Sequence, residues 1–281
     1  MPAMGVVSSN GLTFHEESFG SPSDPPVVLI AGLGSHSISW GDEFCTSLAA
    51  RGHRVVRFDN RDIGLSSHVA PEVAYDLSDM AADTVGVMTA LGIDRAHLVG
   101  RSMGGMIAQS IAIEHPERVL TLTSIFSNTG EPEFGQARPD TLAAMIELSQ
   151  PTENAGLAVE RGVQLARTIG SPAMFDEGYA RRLQERCAER NPDPAAVGRQ
   201  MTAVMASGSR AAGLRALRLP TLVIHGDADP LVDVSGGRRT ADLIAGARYE
   251  EIAGMGHELP PVLWPRLVDL IAGFIQESTG A

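Results

Sequence analysis

Not one of the 281 residues is lysine. All 22 basic side chains are arginine, set against 34 Asp and Glu, for a formal charge of −12. Without lysine there is no Schiff-base amine, no phosphate-loop lysine and no lysine general base. The acidic balance excludes nucleic acid as a partner, because that binding rests on cationic contacts to phosphate. Cysteine is nearly absent. Cys45 and Cys187 are too few for a disulfide framework or a four-ligand zinc site, and read as buried free thiols of a reducing compartment. Aromatics are only 5%, which gives no sign of an aromatic cage. No apolar run approaches the ~20 residues that span a bilayer. The opening M-P-A-M-G-V-V-S-S-N-G has neither the positive start nor the apolar core of a signal peptide. A soluble cytoplasmic protein is expected, a monomer or homodimer without integral membrane association, metal or cofactor.

What is present is an ordinary folded composition, 43% apolar and 20% charged, at a length that suits one large α/β domain. Over residues 1–127, short β-branched runs alternate with helical periodicity. Strands are expected at 26–30, 53–58, 96–100 and 119–126, and helices at 37–51, 79–91 and 102–113. Continuous apolar runs such as P-V-V-L-I mark strands covered on both faces, and the alternation implies right-handed crossovers and a parallel sheet. From 128 to 217 no strand pattern appears. Helical spacing recurs at 142–148, 157–168, 177–189 and 195–206, divided by Glu131-Pro132, Gly170-Ser171-Pro172 and Asn191-Pro192-Asp193-Pro194. Strand signals return at 220–225 and 247–252, with a last helix at 263–276.

The chemistry centres on Gly100-Arg101-Ser102-Met103-Gly104, a G-x-S-x-G with an apolar strand before it and a helix after it. That setting presents a serine on a strained strand-to-helix turn; the plain alternative is a serine capping a helix. A serine hydroxyl needs a base to take its proton, and the base needs an orienting acid. Acid and histidine are expected in that order at the ends of later strands. Of the eight histidines, His257 alone lies beyond the last strand, in the loop Gly254-Met255-Gly256-His257. His15, His53, His97 and His115 belong to elements, His68 reads as a solvated loop residue, and His225 as a structural hydrogen-bonding residue. His36 sits near the pocket mouth. Asp227 and Asp229 both follow the 220–225 strand. Asp229 is favoured as the acid, with Asp227 then a turn residue bonded to local backbone. The developing oxyanion needs two donors, expected to be the backbone N–H groups of Met103 and Leu33. Gly32 and Gly34 would let that loop approach the substrate.

These segments, together with D-N-R-D-I-G-L-S at 59–66, H-G-D-A-D-P at 225–230 and G-M-G-H-E-L-P at 254–260, resemble the α/β-hydrolase superfamily over about residues 12–274. The wording is most like the branch that contains aclacinomycin methylesterase and related actinobacterial lipases and esterases. The resemblance implies a mostly parallel eight-stranded sheet flanked by helices, with a helical cap after the sixth strand. It divides the chain into a core of residues 1–127 and 218–281 and a cap of 128–217. It also implies a Ser102–His257–Asp229 triad and a cofactor-independent serine hydrolase acting on a small apolar ester. Thioester, lactone and lipase or phospholipase activities use the same scaffold, and some members of this fold bind small ligands without turnover.

Substrate-lining residues are expected among Gly32, Gly34, His36, Arg101, Phe126 and Met145. Met174, Met201, Met205, Phe134 and Phe175 could join an acyl pocket but suit helix packing better. Arg101 departs from the family, which more often has a smaller or uncharged residue there. An ion pair behind the elbow is favoured for it, against a pocket potential suited to an anionic group.

Overall fold

The computed structural model describes every residue except Met1, Pro151, Asn191, Pro192, Pro194 and Ala281. Its strands are β1 (Ala3–Ser9), β2 (Leu12–Phe19), β3 (Pro26–Ile30), β4 (Arg54–Phe58), β5 (Ala96–Arg101), β6 (Val119–Ile125), β7 (Thr221–Gly226) and β8 (Arg248–Ile252). Its helices are α1 (Asp42–Ala49), α2 (Leu77–Ala90), α3 (Met103–Glu114), α4 (Pro139–Leu148), α5 (Ala155–Ile169), α6 (Glu177–Ala188), α7 (Ala196–Ala206), α8 (Ala211–Ala216), α9 (Ser235–Leu243) and α10 (Trp264–Thr279). The strands form one sheet in the order β1-β2-β4-β3-β5-β6-β7-β8. β1 and β2 pair antiparallel, β2 is antiparallel to β4, and the rest are parallel.

The apolar run of β3 is explained by two cores. Val28 and Ile30 join Met80 of α2, Ile107 of α3 and Leu214 of α8 on one face. Val27 and Leu29 join Phe44 of α1 and Leu267 of α10 on the other. Alternate residues of one strand thus serve opposite layers, each buried side chain contributing about 1.5–3 kcal/mol.

Several boundaries differ from the expected ones for local reasons. The expected 37–51 helix breaks at Gly41 into a 3₁₀ turn, Ser37–Trp40, and α1. Gly41 has φ +60°, and a Cβ there would stand 2.5 Å from Trp264 Cη2. The helix expected at 79–91 starts earlier because Asp76 caps it, accepting the N–H groups of Ser78 (2.8 Å) and Asp79 (3.0 Å). The β1–β2 turn is Asn10-Gly11, both residues at positive φ, the two-residue hairpin that Asn-Gly favours. Helices α8 and α9 were not foreseen. Two glycines near the start of α9 weaken the helical signal, yet a Cβ on Gly237 would stand 2.9 Å from His225 Cβ.

Between β6 and β7 the described residues form helices α4 to α8 and no strand. Of the separator at 191–194, only Asp193 lies within the described residues. The inserted helices are fastened to the loop after β4. Asp59 accepts the Ser37 N–H (2.7 Å), the Leu65 N–H (3.0 Å) and an N–H of Arg190 (2.7 Å). Asp62 accepts two N–H groups of Arg199, at 3.0 and 2.8 Å. Among the described residues, no helix is long and apolar enough to cross a membrane.

Candidate active site

β5 ends at Arg101 and α3 begins at Met103, which leaves Ser102 alone in the turn with φ 54° and ψ −125°. A non-glycine residue at positive φ is strained and must be held by its surroundings. Ser102 N–H donates to Ile125 O (2.9 Å), and Ser127 Oγ donates to Ser102 O (2.9 Å). The flanking glycines answer a close approach: a Cβ on Gly100 would meet the carbonyl of Gly104, and one on Gly104 the carbonyl of Ile30. No side chain fits either place.

Ser102 Oγ lies 2.9 Å from His257 Nε2, and His257 Nδ1 lies 2.7 Å from Asp229 Oδ2. The three expected residues are therefore brought together from the ends of β5, β7 and β8. Asp229 Oδ1 accepts the N–H groups of Leu231 (2.9 Å) and Val232 (2.8 Å). Burial opposes ionisation of Asp229, but the neighbouring His257 and hydrogen bonds from His225 and His257 outweigh it and hold the carboxyl well below the usual range. Asp227 does not face the imidazole. Its Oδ1 accepts the N–H of Gly254 at 2.7 Å, in the loop after β8 and 27 residues away, so it ties two loops together and does not bond the local backbone as expected. His225 Nε2 is 2.8 Å from Val232 O.

The donors expected for an oxyanion are open. The N–H groups of Leu33 and Met103 have no acceptor among the described residues, and Met103 is the first residue of α3, where no intrahelical acceptor exists. Gly32 sits close enough that a Cβ would be 3.1 Å from Ser102 Cβ.

A cavity of about 330 Å³ opens over Ser102 and His257. Gly32, Leu33, Gly34, His36, Arg101, Phe126 and Met145 all line it. Phe126, at φ 35°, packs against the His257 ring with centroids 4.7 Å apart. Met174, Met201, Met205, Phe134 and Phe175 do not line it; Met205 is exposed, and Phe134 and Phe175 lie under the guanidinium groups of Arg239 and Arg167. Cys45 and Cys187 are free, and burial pushes both thiols up to about 12, so neither is a thiolate nucleophile at neutral pH.

Two further expectations are corrected. Among the described residues, Arg101 makes no ion pair behind the elbow. It donates to Ser39 Oγ, stacks at 5.4 Å from the Trp40 ring and lines the cavity. The reason is that its side chain turns toward the 3₁₀ turn 37–40, where no carboxylate waits. His68 is not a free solvated side chain but a partly buried one; its ring lies 3.3 Å from Asp193 Oδ2 and 3.2 Å from Gly64 O. Asp62, His68 and Asp193 bring ligand atoms within 4.8 Å of one another, but Arg199 is bonded to both carboxylates. That guanidinium, not a metal, supplies their counter-charge.

Other residues escaped the sequence reading because their partners are remote in sequence. Gln200 of α7 accepts the Gly34 N–H (2.9 Å) and donates to Arg61 O (2.9 Å), which fixes the G-L-G loop. The His257 loop is tied to the α5–α6 connection. His257 N–H donates to Ile169 O (2.7 Å), Gly256 N–H to Ser171 Oγ (2.9 Å), and Ser171 N–H to Glu258 Oε1 (2.8 Å). No sequence motif marks these pairs.

A strained strand-to-helix serine, an imidazole between it and a buried carboxylate, and two free N–H groups beside it define a hydrolase site on a doubly covered parallel sheet. The family model for the alpha/beta hydrolase fold matches residues 25–261. The rhodomycin D methylesterase DauP of Streptomyces sp. (strain C5) is 33% identical, with 98% of both chains covered. The rhodomycin D methylesterase DnrP of Streptomyces peucetius is 32% identical over the same shares. Among solved structures, an esterase from Rhodococcus sp. ECU1013 is 25% identical, with 98% of each chain covered and a TM-score of 0.78. The chain belongs to the α/β-hydrolase family, and within it stands with the carboxylesterase-type hydrolases.

Proposed function

We propose that this protein cleaves carboxylic esters through an acyl-enzyme formed on Ser102, with His257 as general base and acid and Asp229 as the orienting acid. The observation that carries this reading is the continuous set of contacts at 2.9 Å from Ser102 Oγ to His257 Nε2 and 2.7 Å from His257 Nδ1 to Asp229 Oδ2. As Oγ attacks the acyl carbon, its proton passes to Nε2. The ionised Asp229 then stabilises the imidazolium and keeps the tautomer in which Nε2 accepts. The N–H groups of Leu33 and Met103 take the charge that develops on the carbonyl oxygen. His257 returns the proton to the leaving alcohol. A water deprotonated by His257 next attacks the acyl carbon, releases the acid and restores Ser102.

Helices α4 to α7 act as a cap, whereas α8, though inside the division 128–217 read from the sequence, packs on the sheet through Ala211 and Leu214. In support, α4, α5, α6 and α7 all contribute lining residues to the cavity. A volume of about 330 Å³ suits a small substrate. Apolar lining from Met145, Leu165, Ile169 and Leu231 suits an apolar part of it, and the names of the two methylesterase relatives favour a methyl ester. The cytoplasm is the compartment that fits two free cysteines.

The test is reaction with a fluorophosphonate probe together with a panel of methyl and aryl esters, a thioester and a lactone. Stoichiometric labelling that is absent in Ser102→Ala, with esters the fastest substrates, is expected. No labelling of the wild type would overturn the hydrolase reading in favour of ligand binding. A thioester or lactone turned over a hundredfold faster than any ester would overturn the substrate class.

A further inference from the structure

Among the described residues, the three least exposed arginines, Arg57, Arg61 and Arg210, are satisfied, and Arg190, whose Nε lacks an acceptor, still pairs with Asp59 and Glu17. Arg57 Nε donates to Glu17 Oε2 (2.9 Å) and its Nη2 lies 2.5 Å from Asp42 Oδ1. Arg61 Nε donates to Asp83 Oδ2 (2.5 Å). Arg210 meets no carboxylate, but it donates to Gln109 Oε1 (3.0 Å) and to the carbonyls of Asn128 (2.9 Å) and Gly208 (3.5 Å).

Arg101 is different. It is partly buried and lines the cavity. A guanidinium has five N–H donors, and among the described residues only Ser39 Oγ accepts from this one. That hydroxyl in turn donates to His36 O. Arg101 Nε is shielded from solvent without an acceptor, and so is the hydroxyl of Tyr179, a neighbouring α6 residue that lines the same cavity. Burial draws the guanidinium down to about 10, which still leaves it cationic at neutral pH. His36, held at about 4 by burial, is neutral there. Glu258 is the carboxylate on the cavity lining, and it is engaged by the Ser171 N–H at the α5–α6 connection and does not pair with Arg101. A partly buried cation with unused donors, facing a cavity, calls for an anion supplied from outside the protein.

We propose that Arg101 and Tyr179 form an anion-accepting subsite, and that the preferred substrate is an ester carrying a carboxylate close to its scissile group. This rests on the ester-hydrolase reading above. The planar guanidinium fork matches a carboxylate in two parallel hydrogen bonds. A single cation balances a single negative charge, which favours a carboxylate over a phosphate dianion. Arg101 and Ser102 line one cavity of about 330 Å³, so the anion is borne on the same small molecule as the ester and not at the end of a long chain. The apolar lining from α4 and α5 is left for the remainder of the molecule.

The experiment compares kcat/KM for ionised monomethyl glutarate with that for methyl glutaramate, its neutral isostere. The wild type should prefer the carboxylate by about tenfold or more, as a charge-assisted bond implies. Arg101→Gln should bring the ratio to about one, mainly through KM. Arg101→Lys should restore part of it, and Tyr179→Phe should lower it several-fold. Where Arg101→Gln does not fold, Ser102→Ala decides: glutarate should raise its Tm more than glutaramide does. A wild-type ratio near one, or equal Tm shifts, overturns the subsite and leaves the hydrolase reading intact. If neither ester is turned over and the fluorophosphonate does not label Ser102, the hydrolase reading itself has failed, while a selective Tm shift by glutarate would still uphold the anion site.

Discussion

Asp229→Asn separates the chemistry of the site from its architecture. Asp229 Oδ1 accepts the N–H groups of Leu231 and Val232 at 2.9 and 2.8 Å, and an asparagine carbonyl oxygen accepts them equally well. The turn after β7 therefore survives. The change falls on the other oxygen, 2.7 Å from His257 Nδ1. There the amide presents N–H groups to the ring, so Nδ1 must accept and the ring proton moves to Nε2. Nε2 then faces Ser102 Oγ, 2.9 Å away, as a donor and cannot take its proton. Loss of the correct tautomer costs roughly 10³–10⁴ in kcat, or about 4–5.5 kcal/mol of barrier. Loss of one charge-assisted bond costs only about 1.5–3 kcal/mol of stability, which leaves the variant folded at 25 °C. The assay is steady-state hydrolysis of p-nitrophenyl butyrate, with folding checked by circular dichroism. Asp227→Asn is the comparison, since Asp227 bonds the Gly254 N–H, and its kcat should stay within about threefold of the wild type. A folded Asp229→Asn that keeps more than a tenth of the activity, or an inactive Asp227→Asn, would refute the reasoning.

Three further changes probe the supports of the site. Ser171→Ala strands the Gly256 N–H that Ser171 Oγ accepts at 2.9 Å; about 1–3 kcal/mol of stability should go, and kcat should fall about tenfold as the His257 loop loosens, read by urea unfolding and ester kinetics. Asp62→Asn keeps a residue that tolerates the φ of 71° but weakens the bonds to Arg199, Tyr75 (2.7 Å) and the Val69 N–H (2.8 Å), for a loss of about 2–4 kcal/mol at pH 7. Burial opposes ionisation of Asp62, yet the bonds from Arg199 and Tyr75 hold its pKa below the ordinary value. Its contribution is therefore present above the unfolded value of about 3.9 and is lost as pH falls through the lower folded value, so Tm of the wild type should converge on that of Asp62→Asn below pH 4. Gly41→Ala places a Cβ 2.5 Å from Trp264 Cη2 at φ +60°, and guanidinium unfolding should show a loss of about 2–4 kcal/mol.

Legibility followed the range of the interactions. The elbow could be read because the close approach of Gly100 and Gly104 to backbone is imposed within a few residues, and local constraints leave local letters. His257 could be read because it alone follows the last strand in a glycine-rich loop. The choice between Asp227 and Asp229 needed the third dimension, since both sit in one short turn and only direction separates them. The hairpin at Asn10-Gly11 was written in the sequence as a turn signal and left unused, whereas the break at Gly41 depends on Trp264, more than two hundred residues later. The same holds for the α7 side chain that secures the Gly34 N–H and for Ser171 beneath the His257 loop. Arg101 is the sharpest case. Its place beside the nucleophile was plain, but an ion pair was the simpler expectation, and only the packing of Ser39, Trp40 and Tyr179 around it reveals the unused donors.

The most direct measurement of the central claim is the intact mass of the protein quenched within milliseconds of mixing with an aryl butyrate. The account predicts a single butyryl adduct that maps to the peptide containing Ser102, forms with the burst of phenol release, and is absent in Ser102→Ala. Ester turnover with no adduct, or an adduct on any other residue, would contradict it.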